Sequence, residues 1–203
     1  MTLKLYIQNA KRRLDMVRWV IQKANAFPPE ESRDRIALAL IQAALGDAVA
    51  ITVLLDHSEK EPLAGPALTL LRPLNEKLKR ASWAFAAEDE AVVTAYQKDK
   101  FPNGDVMVRV IEAVNPEHDL FTRLFEASPR MVHAFVHGGA GLISGYMGDS
   151  TVGGRFSSKA LAAALEYIGD LAVEAGLLSI DILAKYDKDS AFEAMEKLNT
   201  AIR

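Results

Sequence analysis

The chain has 203 residues, half of them apolar, and a formal net charge of -3. That length and apolar content suit one large globular domain with a substantial buried core. Without cysteine, disulfides, thiolate nucleophiles and cysteine-ligated zinc or iron-sulfur centres are excluded, and the net charge argues against wholesale coating of nucleic acid.

The charge is unevenly placed: residues 1–35 carry eight Lys or Arg against four Asp or Glu, and the remainder is acidic. The opening MTLKLYIQNAKRRLD has charges every few residues and no apolar run, unlike a secretory signal, so a cytoplasmic protein is expected. Leu3, Ile7, Ala10, Leu14, Val17 and Ile21 recur at helical steps and predict a basic amphipathic helix from Leu3 to about Ala26, ended by Pro28 and Pro29. Its other side carries Lys4, Lys11, Arg12, Arg18 and Lys23. No aromatic residues alternate among these, so they read as a solvated face rather than a stacking platform for nucleic acid.

A second helix is expected from about Glu30 to His57, apolar on all sides and therefore central. Its apolar run approaches membrane-spanning length, but Asp47 near the middle favours a buried helix of a soluble bundle, with no membrane partner. Asp47 needs a donor if buried, and Arg72, Arg80 or a histidine is the expected partner.

Pro66 is placed to begin a third helix, which Pro73 should kink one turn on. This stretch, LLRPLNEKLKRASWAF, holds the chain's most deliberate polar spacing. Arg72, Glu76, Arg80 and Trp83 share one helical stripe, with Leu71, Leu74, Leu78 and Ala81 opposite. A carboxylate between two guanidinium groups is either a surface ion ladder or the wall of an anion-binding cleft, and an indole on the same stripe suggests that the stripe is covered. Glu88–Lys100 should form a further helix, FPNG a turn, and Asp105–Val114 and Glu117–Ala127 two short helices.

Ser128 and Pro129 make a helix start, and the helix they open carries His133 and His137 before running into Gly138 and Gly139. Two histidines four apart point the same way and can share a metal, yet no third ligand is near, so a structural pair is expected and no metal or other cofactor is assigned. Gly148–Ser157 reads as a polar loop, Ser158–Tyr186 as a long helix and Ser190–Ile202 as the last. No strand pattern or internal repeat emerges. The expected fold is an all-α, up-and-down bundle of about seven to eight helices in one domain spanning residues 1–203.

Arg130 and His137 stand in RMVHAFVH, an Arg, six residues and a His, a spacing that resembles the Arg-x4-6-His signature of the HEPN helical RNases. LLRPLNEKLKRASWAF, KDKFPNGD and VHAFVHGG together look like an uncharacterised family of bacterial all-helical proteins, distantly HEPN-like, with a Leu-Arg-Pro, Glu, Arg, Trp series and a later histidine-glycine turn. The matching positions are Arg72, Pro73, Glu76, Arg80, Trp83, Phe101, Pro102, His133, His137 and Gly138. Val136 departs from the family's usual Thr, and no arginine follows Gly139 before Arg155. The HEPN resemblance implies metal-independent action on, or binding of, RNA or a nucleotide, with His137 as base and Arg130, Arg72 or Arg80 as phosphate holders. It makes Arg72, Glu76, Arg80, Trp83 and His133 binding residues facing the same cleft. The alternatives are a non-catalytic interaction module, such as a toxin–antitoxin or defence partner, and a metal-dependent enzyme that adds Glu76 or Asp47 to the histidines. A homodimer is expected from the alanine-rich helices.

Overall fold

A computed structural model describes residues 2–58, 63–114 and 156–202, and these are helical throughout, with no strand among them. In chain order the described helices are α1 (Leu3–Asn25), α2 (Ser32–Asp56), α3 (Ala64–Thr69), α4 (Leu71–Ala86), α5 (Asp89–Gln97), α6 (Gly104–Val114), α7 (Ser158–Tyr186) and α8 (Lys188–Ile202). The all-α bundle expected from the periodicity is the observed architecture. The second predicted short helix, the His133 helix and nearly all of the predicted polar loop lie outside the described residues.

Helix α2 is central, packing against α1, α3, α4, α5 and α7. Its core positions Ala37, Ile41, Ala44, Ala48, Ile51 and Leu55 are at most 1% exposed, and Leu71, Leu78 and Ala81 of α4 are wholly enclosed. Each large side chain so buried contributes roughly 1.5–3 kcal/mol, which makes this seam worth far more than the ion pairs on its rim. By length and composition alone α2 is apolar enough to cross a bilayer, and 44% of that apolar window is buried in the bundle.

Pairs of side chains set the helix directions. Lys11 of α1 reaches Asp56 at the end of α2, and Lys185 at the end of α7 reaches Asp34 at the start of α2, so α2 opposes both. Arg13 meets Asp170, while Val17 lies beside Gly176, so α1 and α7 run parallel. Asp187 forms the whole connection between α7 and α8: its Oδ1 accepts from the amides of Asp189 and Ser190, capping α8 and reversing the chain. Hydrogen bonds from Ser190, its side chain first and then its amide, hold the Asp187 carboxyl below its ordinary pKa.

Where Pro73 was expected to kink one helix, the helix is interrupted at the single residue Leu70, whose backbone stays in the right-handed helical region. Helix α3 ends at Thr69, Leu70 is a turn, and α4 begins at Leu71, which places Pro73 third in α4 and Pro66 third in α3. Both prolines thus occupy first turns, where an amide has no intrahelical acceptor to lose.

Two glycines at helix interiors have opposite surroundings. A Cβ on Gly176 would lie 3.3 and 3.4 Å from the Leu198 methyls and 3.5 Å from Val17 Cγ2, so this glycine admits the close meeting of α1, α7 and α8. A Cβ on Gly46 would meet nothing within 4 Å. Gly46→Ala is expected to raise stability by roughly 0.5–1 kcal/mol. Gly176→Leu is expected to lower it by about 1–3 kcal/mol through overpacking, and urea unfolding midpoints compare the two.

Candidate functional site

The polar stripe on α4 divides rather than acting as a unit. Arg72 Nε donates to Glu76 Oε1 at 2.7 Å, both side chains being more than two-fifths exposed. A solvated i,i+4 pair of this kind contributes about 0.3–0.5 kcal/mol. Arg80 does not join it. Its guanidinium stacks 4.8 Å from the centre of the Phe101 ring. Trp83 is not on a polar face at all: it is 4% exposed and meets Phe101 edge to face at 5.9 Å. Phe101 therefore sits between the indole that supports it and the cation that covers it, and the four-residue stripe becomes one surface pair, one arginine–aromatic stack and one buried buttress.

Asp47 also finds a different partner from those expected. Its Oδ2 accepts from Lys77 Nζ at 2.5 Å, one turn from Arg80 along α4. Lys79 on the same helix is 7% exposed, and burial lowers its ammonium pKa while the charges of Glu76 and Asp105 oppose that shift.

Arg80 enters a groove of about 870 Å³ whose lining includes Ser32, Arg35, Tyr96, Gln97, Asp99 and Phe101. Two arginines from different helices thus line one concavity with two aromatic rings, and Tyr96 is 62% exposed. Among the described residues neither Arg35 nor Arg80 has a carboxylate partner within ion-pairing distance. Arg35 and Tyr96 were missed at the sequence level because nothing in their local spacing links them to Arg80.

The α5 side of this groove is anchored to the start of α2. Asp89 Oδ1 accepts the Arg33 amide at 2.7 Å, so a side chain from the first turn of α5 caps α2. The Arg33 guanidinium donates back to the Ala87 carbonyl at 2.8 Å and to Glu31 Oε2 at 2.6 Å. The hydrogen bond from Arg33 is the main reason the Glu31 carboxyl lies below its ordinary pKa, and the same bond raises that of Arg33.

Beneath this surface is a second network that sequence reasoning missed. Asp34 is wholly inaccessible, and both its oxygens accept from Lys185 Nζ at 2.9 Å, while Oδ2 also accepts from Tyr186 Oη at 2.9 Å. Lys185 Nζ stands 4.5 Å from the Phe85 ring centre, tying the ends of α4 and α7 to the start of α2. An acidic residue in a helix's first turn ordinarily complements the dipole, which hid Asp34. Its one signal was its place on the buried stripe with Ala37, Leu38 and Ile41.

Burial first, then the hydrogen bond to Asp34, raises the Tyr186 pKa above 10.0. A raised acid favours the protonated phenol in the folded chain, so its contribution is complete below about pH 10 and is lost as pH rises through the folded value. Wild type should therefore be more stable than Tyr186→Phe by about 1–2 kcal/mol at pH 8, with the gap closing above pH 10. Urea unfolding of both proteins at pH 8 and pH 11 reads this directly.

The basic side of α1 is largely neutralised: Lys11 pairs with Asp56, Arg18 with Asp15 and Lys23 with Glu193. One aromatic, Trp19, stands beside this face, its ring centre 4.0 Å from Lys197 Nζ and 5.7 Å from Lys23 Nζ. Its neighbour cations already occupy that ring.

His133, His137 and Arg130 lie outside the described residues, as does any cleft they share with α4. Among the described residues no group of three or more His, Asp or Glu is arranged to hold a metal ion. No protein-family model, curated protein or solved structure matches this chain.

Proposed function

We propose that this protein binds and acts on RNA or a phosphorylated nucleotide through the groove between α2, α4 and α5. The observation that carries this reading is the meeting of Arg35 and Arg80 with Tyr96 and Phe101 in one concavity. A guanidinium is permanently charged and presents a planar fork of donors that matches phosphate oxygens, and a second one doubles the attraction. An exposed tyrosine offers a face on which a base stacks, worth about 1–3 kcal/mol per base. Arginines and aromatics gathered on one face are the combination that single-stranded nucleic acid or a nucleotide requires, and the acidic remainder of the surface disfavours indiscriminate binding.

The catalytic part of this proposal rests on the resemblance to HEPN proteins. His137 takes the proton from a ribose 2′-hydroxyl, and Arg130 holds the phosphate as charge develops on it. In this reading Arg80 and Arg35 bind substrate. The protein acts in the cytoplasm, where RNA and nucleotides are available, and α2 serves as a bundle helix, consistent with its packing on five neighbours.

Cleavage of a mixed RNA pool in EDTA tests the reading, comparing wild type with His137→Ala and Arg130→Ala after circular dichroism has verified their folding. Cutting by wild type that both folded variants lose supports it. Binding without cutting retains the groove and removes the catalytic roles.

One observation favours the alternative of a protein-interaction module. The exposed side of α2 presents Ala39, Ala43 and Gly46, small residues that permit close approach of another helix, with the exposed Val53 further along, in keeping with a homodimer or a different protein partner. Ala43→Arg tests the homodimer form of this reading: a drop in sedimentation coefficient at unchanged helicity supports it, and an unchanged monomer removes it.

A further inference from the structure

We infer that the groove selects guanine, with Asp99 reading the base edge; this deepens the nucleotide-binding reading and rests on it. Asp99 has φ of 47°, the one non-glycine residue with a positive φ among the described residues. Its position explains the backbone: Lys100 N–H donates to the Ala95 carbonyl at 2.9 Å and Asp99 N–H to that of Tyr96 at 3.1 Å, which makes Asp99 the left-handed residue closing α5. Glycine meets that requirement at the lowest backbone cost, and aspartate is among the few side chains that tolerate it. The turn accepts glycine or aspartate. What aspartate adds is a carboxylate on the wall of the groove that holds Arg35, Arg80, Tyr96 and Phe101.

Among the described residues that carboxylate has neither a hydrogen-bond nor an ion-pair partner, although two arginines line the same groove. A carboxylate offers acceptors and no donor. Guanine presents two adjacent donors, N1–H and the N2 amino group, which a carboxylate accepts side by side. Adenine presents the N1 lone pair there, which repels it, and cytosine and uracil lack the paired donors in that spacing. Gln97, also in the lining, supplies an amide N–H suited to guanine O6. Stacking on Tyr96 is indifferent to the base and phosphate contact with the arginines is indifferent to sequence, so discrimination falls to the groups that touch the base edge. A good bidentate contact to a base changes affinity by roughly tenfold or more between right and wrong partners.

Titration calorimetry of the full chain with GMP, IMP and AMP, repeated on Asp99→Gly and Asp99→Asn, tests the inference. Both substitutions suit a left-handed residue, so the fold should be retained, and circular dichroism checks this. GMP is expected to bind wild type about tenfold or more tighter than AMP, with IMP, which lacks the N2 amino group, between them. In Asp99→Gly, GMP affinity should fall to that of AMP while AMP affinity stays at or above its wild-type value. Equal affinity of wild type for GMP and AMP overturns guanine selection and leaves the nucleotide reading standing. A GMP preference that survives both substitutions overturns the role of Asp99. Failure of wild type to bind any of the three overturns the inference and the reading beneath it.

Discussion

Lys185→Met is expected to destabilise the chain by about 3 kcal/mol, the largest effect of any single change outside the hydrophobic core. Asp34 is wholly inaccessible and takes two of its three hydrogen bonds from the Lys185 ammonium at 2.9 Å. Removing that ammonium leaves a buried carboxylate with the Tyr186 hydroxyl alone. Breaking a buried pair in this way costs about 3–5 kcal/mol, because the remaining charge keeps its desolvation penalty and loses its compensation. The Lys185 side chain is 30% exposed, so water can reach part of the gap, which places the effect at the low end of that range.

The double change Asp34→Leu with Lys185→Met should cost less than Lys185→Met alone, since it removes the orphaned charge. Urea unfolding of the three proteins measures both statements. An unfolding free energy for Lys185→Met within about 1 kcal/mol of wild type would contradict the burial of Asp34. The network also bears on function. It fixes the residue before Arg35 and the helix end that follows Arg80, so a loosened start of α2 should weaken binding in the groove even where the chain stays folded.

Arg80→Ala should weaken RNA or nucleotide binding by about tenfold or more, and Arg35→Ala by a similar factor. Hydrogen bonds to a charged partner are each worth about 1.5–3 kcal/mol, which spans that loss. The two substitutions should not add simply if both guanidinium groups hold one phosphate. Arg80→Lys is expected to recover only part of the affinity, because a lysine keeps the charge but presents neither the planar fork nor the flat face that lies over Phe101. Arg72→Ala provides the contrast. Arg72 is spent on an exposed pair with Glu76, and its loss should change stability by less than 1 kcal/mol.

Much of the fold was legible because helical periodicity is a local property. Ser158–Tyr186 was read to its observed ends, and α2 was identified as central from an apolar composition that surrounds the helix. Pro66 and Pro73 were harder. Each is compatible with either a kink or a first turn, and only the interruption of the helix at Leu70 decides between them.

The site was less legible for the same reason. Spacing within α4 identified Arg72 and Glu76 as neighbours, but the orientation of Arg80 and the burial of Trp83 depend on Phe101, which lies beyond the next helix. Arg35 precedes Arg80 by 45 positions and Asp34 precedes Lys185 by 151, distances over which no periodicity carries information. Asp99 fell inside the helix expected over Glu88–Lys100, and its place in the groove is visible only once α2 and α5 are packed.

Equilibrium binding of a fluorescently labelled single-stranded RNA, in EDTA and across a salt series, to wild type, Arg35→Ala, Arg80→Ala and Arg72→Ala tests the central claim most directly. The groove predicts saturable binding by wild type, about tenfold or greater weakening by the first two substitutions with a shallower salt dependence, and an unchanged affinity for the third. Affinity that survives loss of both Arg35 and Arg80, or that falls equally with Arg72, would contradict a binding site between α2, α4 and α5.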